Sequence, residues 1–351
     1  MTSDLVKVTH FPERIFLERG VFGQSVNFEF RLQTELSEPM ELQELIVNGF
    51  DKQDRLLFRF PLNSWGIVPS ILVIPDRKVE PGKILEIFNP LADFHLDYSI
   101  SRLRYEFDFR TEKGDHVKAE VTLDPIIYGQ KVKLDLPFVG TALVTDGHDF
   151  LSHHRRNFPL THPLIRQIGI TGNNSRFAYD FVPLDNEYKM FRNTPHRNED
   201  FYGWGKPVLS PGEGRISSMS SNLPDNPLDN PPQFDEEAHI RDPLTAMERH
   251  LGNFVIIDHG NDEFSLLAHM QERSVQVVAG DKVAKGKLIG RIGNSGDSGT
   301  PHLHYQLQNG TDLLGSEGLP SRFHGFDLLL GTKNKRVEGS CPNTGMIIRH
   351  E

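Results

Sequence analysis

Hydrophobic and polar residues alternate with a period of two through much of the first 130 residues. Apolar side chains occupy every second position in residues 26–32, 103–109 and 117–123. This period is typical of β-strands with one buried face. Gly- and Pro-containing turns separate the strands, so we predict an antiparallel, immunoglobulin-like β-sandwich over residues 1–135. It contains no cluster of His, Asp or Glu that indicates catalysis, and we interpret it as a structural or substrate-positioning module.

Short apolar runs separated by Gly, Asn and Asp turns continue through the second part of the chain. They predict strands at 254–258, 264–269, 274–278, 287–293 and 302–307. We find no segment of helical period and useful length among them. Residues 217–243 are rich in Ser, Pro, Asn and Asp and are expected to form a long loop. The prediction is an all-β protein whose second, β-rich domain covers residues 136–351.

Two histidines mark the strand at 302–307. His302 and His304 follow a turn of Gly, Ser and Asn residues, and strand side chains at positions i and i+2 point to the same face. Neutral imidazole is a common zinc ligand and a common general base. The pair can therefore supply one group of each kind.

Residues 146–162 are unusually rich in histidine. They hold four of the sixteen histidines of the chain, namely His148, His153, His154 and His162. One interpretation is a polar interdomain linker. The other is that one or more of these rings reaches the site built by His302 and His304.

Asp180 lies in a predicted strand among apolar neighbours. A lone carboxylate is costly to bury, so Asp180 needs a partner, for which a cation or a metal is the natural choice. His269 ends another strand, a position at which an isolated histidine is more often structural.

Composition narrows the classes of partner. The formal net charge of −10 argues against a nucleic-acid partner and disfavours anionic lipid. Cys341 is the single cysteine, so a metal must be held by His, Asp or Glu. Neither a signal peptide nor a membrane-spanning run of about 18 apolar residues is visible, so the chain as given is expected to be soluble.

Seven short motifs occur in an order that resembles the lysostaphin-type zinc metalloendopeptidases. They are Asp180-Phe, the Gly-Lys-Pro segment at 205–214, residues 252–260, Leu267-Ala-His269-Met, residues 278–290, Gly293-Asn-Ser-Gly and Pro301-His-Leu-His304. The resemblance covers about residues 145–310. It implies a barrel-like duplicated-hybrid-motif fold and a zinc ion held by two His and one Asp. It also implies cleavage of short peptide bonds in bacterial peptidoglycan.

The resemblance also implies roles for individual residues. Asp180 and His304 match two zinc ligands, His302 matches the general base, and His269 matches a residue that orients the attacking water or stabilises the oxyanion. The first histidine ligand of the family usually lies four residues before the aspartate, where this chain has Arg176.

A guanidinium remains cationic and cannot bind zinc, so another residue must supply that ligand. We expect His154 to supply it, with His153 as the alternative, and His148 and His162 stay open. If none of them reaches the metal, the domain is a degenerate, non-catalytic member.

The leading hypothesis is a zinc metalloendopeptidase that acts on a peptide or peptidoglycan substrate. The alternative is a degenerate cell-wall binding or regulatory protein. A third hypothesis is a phosphohistidine carrier, which is disfavoured because such a carrier would not need Asp180 at a ligand position. The resemblance implies the cell envelope or secretion, whereas no export signal is visible, so localisation stays open. The sequence determines neither the oligomeric state nor the bond cleaved.

Overall fold

The computed structural model describes residues 5–351 and confirms the all-β class. Strands account for 41% of the chain and helices for 9%. Two compact units divide at Tyr128 and Gly129. Among the described helices, none is both long and apolar enough to cross a membrane.

The described part of the first unit, which starts at residue 5, contains eleven strands. They are β1 (Val6–Phe11), β2 (Leu17–Arg19), β3 (Gln24–Val26), β4 (Glu29–Thr34), β5 (Met40–Phe50), β6 (Leu56–Asn63), β7 (Lys78–Val79), β8 (Leu85–Phe88), β9 (Asp93–Phe94), β10 (Arg102–Thr111) and β11 (His116–Leu123). One sheet has the order β1-β4-β8, a second has the order β11-β10-β5-β6 with β7 beside β5, and β2-β3-β9 form a small third sheet.

Aromatic residues join the first two sheets. The ring of Phe30 from β4 lies edge-on to Tyr105 and Phe107 from β10, with centroid distances of 4.9 and 5.1 Å. All three side chains are buried. Because the inward positions of both sheets are apolar, the sheets pack face to face as a sandwich.

The second unit contains fifteen strands and three short α-helices. The strands are β12 (Leu134–Asp135), β13 (Gly140–Asp146), β14 (Tyr179–Pro183), β15 (Pro207–Leu209), β16 (Gly214–Met219), β17 (Asn253–Asp258), β18 (Phe264–Met270), β19 (Lys282–Val283), β20 (Leu288–Arg291), β21 (Leu303–Gln308), β22 (Gly318–Leu319), β23 (Phe323–His324), β24 (Phe326–Leu330), β25 (Lys333–Val337) and β26 (Ile347–His350). The helices are α1 (Pro163–Ile168), α2 (Glu236–Arg241) and α3 (Pro243–Leu251).

One large sheet dominates the second unit. Its strand order is β19-β16-β17-β18-β21-β14-β13-β26-β24-β25, with β22 beside β21. The two end strands, β19 and β25, do not pair with each other in the described part of the chain. The four neighbouring strands β18, β21, β14 and β13 carry the candidate site.

The structure corrects two local expectations. The segment expected to be a loop over 217–243 begins in β16 and contains α2, whose start is capped by the Asp235 side chain accepting from Ala238 N at 2.9 Å. Helix α3 follows at once, with Pro243 in its first turn. An Asp cap and a Pro at the first helical position are ordinary helix-start signals, and they act over too few residues here to produce a helical period.

The expected strand at 274–278 is not formed. Gln276 N donates to Ile289 O at 2.9 Å, whereas Val275 N donates to the Ser221 side chain at 3.3 Å. Because the backbone groups here bond partly to a side chain, no regular ladder develops.

Candidate metal centre

Strand register places the aspartate of the predicted site beside its histidine. Asp180 on β14 lies directly opposite His304 on the antiparallel strand β21, and His304 lies opposite Ala268 on β18. Directly opposite residues on antiparallel strands have neighbouring side chains. Pairing across three strands therefore assembles residues that are far apart in sequence.

Three imidazoles surround the Asp180 carboxylate. His304 Nδ1 lies 3.1 Å and His302 Nε2 lies 3.4 Å from Asp180 Oδ1, and His154 Nε2 lies 3.6 Å from Oδ2. Burial alone would raise the pKa of Asp180, but His154 and His302 hold it well below its ordinary value. Asp180 is therefore a buried, ionised carboxylate that could bind a cation.

His154 is positioned by a second aspartate that sequence reasoning did not assign. His154 begins a short 3₁₀ helix, and its Nδ1 faces Asp146 Oδ1 at 3.3 Å. Burial raises the pKa of Asp146, but His153 and His154 lower it, so it is ionised and only accepts hydrogen bonds. The contact between the two residues lacks hydrogen-bond geometry, so it is electrostatic, and it favours a proton on Nδ1 of His154 with the Nε2 lone pair directed towards Asp180.

His153, the alternative first ligand, lies on the outer side of Asp146. Its Nδ1 contacts Asp146 Oδ2 closely, and its side chain is 61% exposed.

Three residues bring possible metal-ligand atoms close together. One such atom comes from each of His154, Asp180 and His304, and the three atoms lie within 4.8 Å of one another.

This donor set fits zinc. Ligand atoms about 2.0–2.2 Å from a tetrahedral zinc ion lie about 3.3–3.6 Å from one another. The distances of 3.1 and 3.6 Å from Asp180 to the two imidazoles are close to that separation. Three protein ligands are also the number expected of a catalytic zinc site, which keeps one position open.

Backbone carbonyl groups hold the rings of His269 and His302 in the same way. His269 Nδ1 lies 2.9 Å from Ser295 O, and His302 Nδ1 lies 2.8 Å from Thr300 O. A carbonyl oxygen only accepts, so each Nδ1 donates, and each ring presents Nε2 as an acceptor when it is in its neutral form. The ring centroids are 4.9 Å apart.

Burial, reinforced by His302 and His304, holds the pKa of His269 well below its ordinary value. Its backbone φ of +60° lies in the left-handed region, which is uncommon for a residue with a side chain. His269 is thus a neutral acceptor kept in place by an unusual backbone conformation.

A cleft of about 450 Å³ opens onto these groups. Its lining includes the candidate ligands. It also includes apolar side chains, namely Phe158 before α1, Ile165 and Ile168 of α1, and Met247 and Leu251 of α3.

The remaining candidates lie elsewhere. His148 is buried, stacks on Tyr179 with centroids 4.1 Å apart, and directs Nε2 to Phe177 O at 2.6 Å. His162 caps α1 by accepting from Leu164 N at 3.3 Å. The buried Arg176 forms a close ion pair with Glu317 and does not line the cleft.

A known family matches the region that holds the His-X-His pair. Residues 240–314 match Peptidase family M23, which confirms the lysostaphin-type resemblance for this segment. It contains His269, His302 and His304, whereas His154 and Asp180 lie before it.

Two relatives come from Vibrio cholerae serotype O1. The peptidoglycan DD-endopeptidase ShyA is 27% identical over 226 residues, which are 60% of this chain and 44% of ShyA. The peptidoglycan DD-endopeptidase ShyC is 31% identical over 117 residues, which are 33% of this chain and 21% of ShyC. The matched residues thus span less than half the length of either relative.

Among solved structures, the catalytic domain of lysostaphin from Staphylococcus simulans aligns with a TM-score of 0.24 and 20% identity. The alignment covers 43% of this chain and 84% of that domain.

Proposed function

We propose that this chain, which carries a Peptidase family M23 segment at residues 240–314, is a zinc metalloendopeptidase that hydrolyses peptide cross-links of peptidoglycan. The carrying observation is the convergence of His154, Asp180 and His304, two of which lie outside the matched segment. The substrate class is supported by the names of the two Vibrio relatives. Such a substrate implies action in the cell envelope or outside the cell.

The proposed ligands are His154 through Nε2, Asp180 through its carboxylate and His304 through Nδ1. A bound zinc ion would polarise the scissile carbonyl and make water a better nucleophile at neutral pH.

His302 is proposed to accept the proton of the attacking water. Its Nδ1 donates to Thr300 O, so Nε2 is the basic nitrogen, and Nε2 lies 3.4 Å from Asp180, beside the proposed ligands. A positioned general base typically contributes about 10²- to 10⁴-fold in rate. After the proton transfer, the same nitrogen can return the proton to the leaving amine.

His269 is proposed to orient that water rather than to stabilise an oxyanion. Its Nδ1–H is used by Ser295 O, and the low pKa keeps Nε2 unprotonated. An unprotonated nitrogen accepts a hydrogen bond from water but has no proton to donate to an oxyanion.

The position of Arg176 supports an intact site. This arginine favours the degenerate alternative, but its guanidinium pairs with Glu317, and His154 Nε2 lies 3.6 Å from Asp180, where it is proposed to serve as the missing ligand. The following test distinguishes an enzyme from a degenerate, non-catalytic protein.

The test compares the two histidines of the pair in the full chain. Zinc content is measured together with hydrolysis of purified peptidoglycan and of cross-linked peptide dimers, with products identified by mass spectrometry. We expect His302→Ala to retain zinc and to lose about 10²- to 10⁴-fold in kcat, and His304→Ala to lose zinc and activity together.

Two results would contradict the proposal. Zinc binding without hydrolysis by the unmodified protein would identify a degenerate binding protein. Hydrolysis that is unaffected by a chelator and by both substitutions would exclude this site as the catalytic centre.

A further inference from the structure

Three polar residues follow one another on the buried face of β21. His304, Gln306 and Gln308 occupy alternate positions, so their side chains point the same way, and they are 6%, 1% and 0% exposed. Buried amides are retained only where they are hydrogen-bonded. The partners of these two glutamines are therefore informative.

The three side chains form one continuous chain of hydrogen bonds. His304 Nε2 lies 2.8 Å from Gln306 Oε1, Gln306 Nε2 donates to Gln308 Oε1, and Gln308 Nε2 donates to Gly310 O at 2.6 Å. The last acceptor is a backbone carbonyl, which cannot donate.

That carbonyl sets the direction of the whole chain. Gln308 must present its NH₂ group to Gly310 O, so its oxygen faces Gln306. Gln306 must then present its NH₂ group to Gln308, so its oxygen faces His304. The proton on the imidazole must therefore be on Nε2, because an amide oxygen only accepts.

We propose that Gln306 and Gln308 are positioning residues that keep the proton of His304 on Nε2 and so leave Nδ1 free as a metal donor. This inference rests on the proposed metal centre but concerns residues outside its ligand set. The far partner of a metal-bound histidine commonly fixes its tautomer.

The same geometry explains why a cation belongs between His304 and Asp180. With the proton on Nε2, the Nδ1 lone pair faces a carboxylate oxygen at 3.1 Å. Two acceptors at this distance repel each other unless a metal ion or a second proton on the imidazole lies between them. With the other tautomer, the Nδ1 proton would bond to Asp180 and the ligand atom would be blocked.

Asp146 has the corresponding effect on the other histidine ligand. Its Oδ1 lies 3.3 Å from His154 Nδ1 and favours a proton on that nitrogen, which leaves Nε2 free. The two histidines therefore offer different nitrogens, and each is prepared by its own partner.

The test measures the tautomer directly. In metal-free full-length protein, ¹⁵N-histidine NMR distinguishes Nε2–H from Nδ1–H, and zinc affinity is measured by competition with a chelator. We expect the Nε2–H form for His304 in the unmodified protein. In Gln306→Leu, we expect a shift towards Nδ1–H and a zinc affinity about 10- to 100-fold lower.

Three further variants complete the design. Gln306→Glu loses the NH₂ group that bonds to Gln308 but keeps an acceptor for His304 Nε2–H, and should keep zinc affinity within a few-fold. Gln308→Met releases the orientation of Gln306 and should give an intermediate loss. Gln276→Leu replaces an exposed glutamine outside the site and should change neither the tautomer of His304 nor the zinc affinity.

Either of two results overturns the inference. One is an Nδ1–H tautomer of His304 in the metal-free protein, and the other is an unchanged zinc affinity in Gln306→Leu. If Gln306→Leu does not fold, the tautomer of the unmodified protein and the Gln308→Met affinity decide the question. Because the tautomer is measured without substrate or metal, loss of the proposed enzymatic function would not mimic the first result. The zinc affinity is measured without substrate, so a protein that binds zinc but does not hydrolyse peptidoglycan would not mimic the second.

Discussion

Strands β10 and β21 alternate in the same way, but the polar faces of the two strands lie in different surroundings. In β10, one face is apolar and buried, whereas the other carries charged residues such as Glu106, which pairs with Arg59 at 3.0 Å near the solvent. In β21, all six residues are buried, and the polar face must find its partners inside the protein. A period of two therefore does not by itself show which face meets water.

The difference indicates where function lies. A polar group exposed to water is already hydrogen-bonded, so it places few demands on its surroundings. A buried polar group costs free energy unless each partner is supplied in the right geometry. The density of such groups around Asp180 is therefore better explained by a role in binding or catalysis than by stability.

The largest effect is expected from substitution of a proposed metal ligand. His154→Ala should lose zinc and reduce hydrolysis to background, because it removes the imidazole 3.6 Å from Asp180. The matched control is His153→Ala, which removes an exposed ring and should keep zinc within a few-fold. Zinc affinity and hydrolysis are measured for both variants, and equal losses in the two would show that the neighbouring histidines share the role.

The apolar face of β10 provides the second test. Phe107→Ala should lower the free energy of unfolding of the first unit by about 3–5 kcal/mol, because it leaves a cavity between the two sheets. Hydrogen exchange of the β5 and β10 amides measures this loss. A change below about 1 kcal/mol would mean that the face is not closely packed.

The sequence predicted those parts of the site that depend on local pattern. The face shared by His302 and His304 follows from strand geometry, and the need of Asp180 for a partner follows from its apolar neighbours. The choice among four histidines could not follow from local pattern, because it depends on a bulge in the β13 and β14 pairing and on the 3₁₀ helix that carries His154. Asp146 gave no signal of its own, since its role exists only beside the folded His154.

Helix formation was the weakest part of the prediction. Helices α2 and α3 contain six and nine residues, and the side chains of Asp235 and Asp242 cap their N-termini. So few turns cannot display a convincing period, whereas the caps were visible in the sequence. Attention to Asp followed by Pro at 242–243 would have located α3.

The third test concerns His269. His269→Ala should lower kcat by about 10²-fold while zinc is retained, because the ring is proposed to orient water and not to bind the metal. His269→Asn is the companion variant, since Asn tolerates the positive φ at this position better than Ala does. If Asn restores full activity, the backbone conformation rather than the imidazole is what matters.

The smallest effect is expected on stability at the polar face of β21. In metal-free protein, replacing both Gln306 and Gln308 by Met should lower the free energy of unfolding by no more than about 1–3 kcal/mol, because the bond between the two glutamines loses both partners and only His304 Nε2 and Gly310 O are left unpaired. Urea denaturation with a chelator present measures this change without a contribution from bound metal. A loss above about 3 kcal/mol would show that the glutamines stabilise the strand as the aromatic residues of β10 do. A near-zero change together with weakened zinc binding would show that these residues serve the metal centre at little cost to the fold.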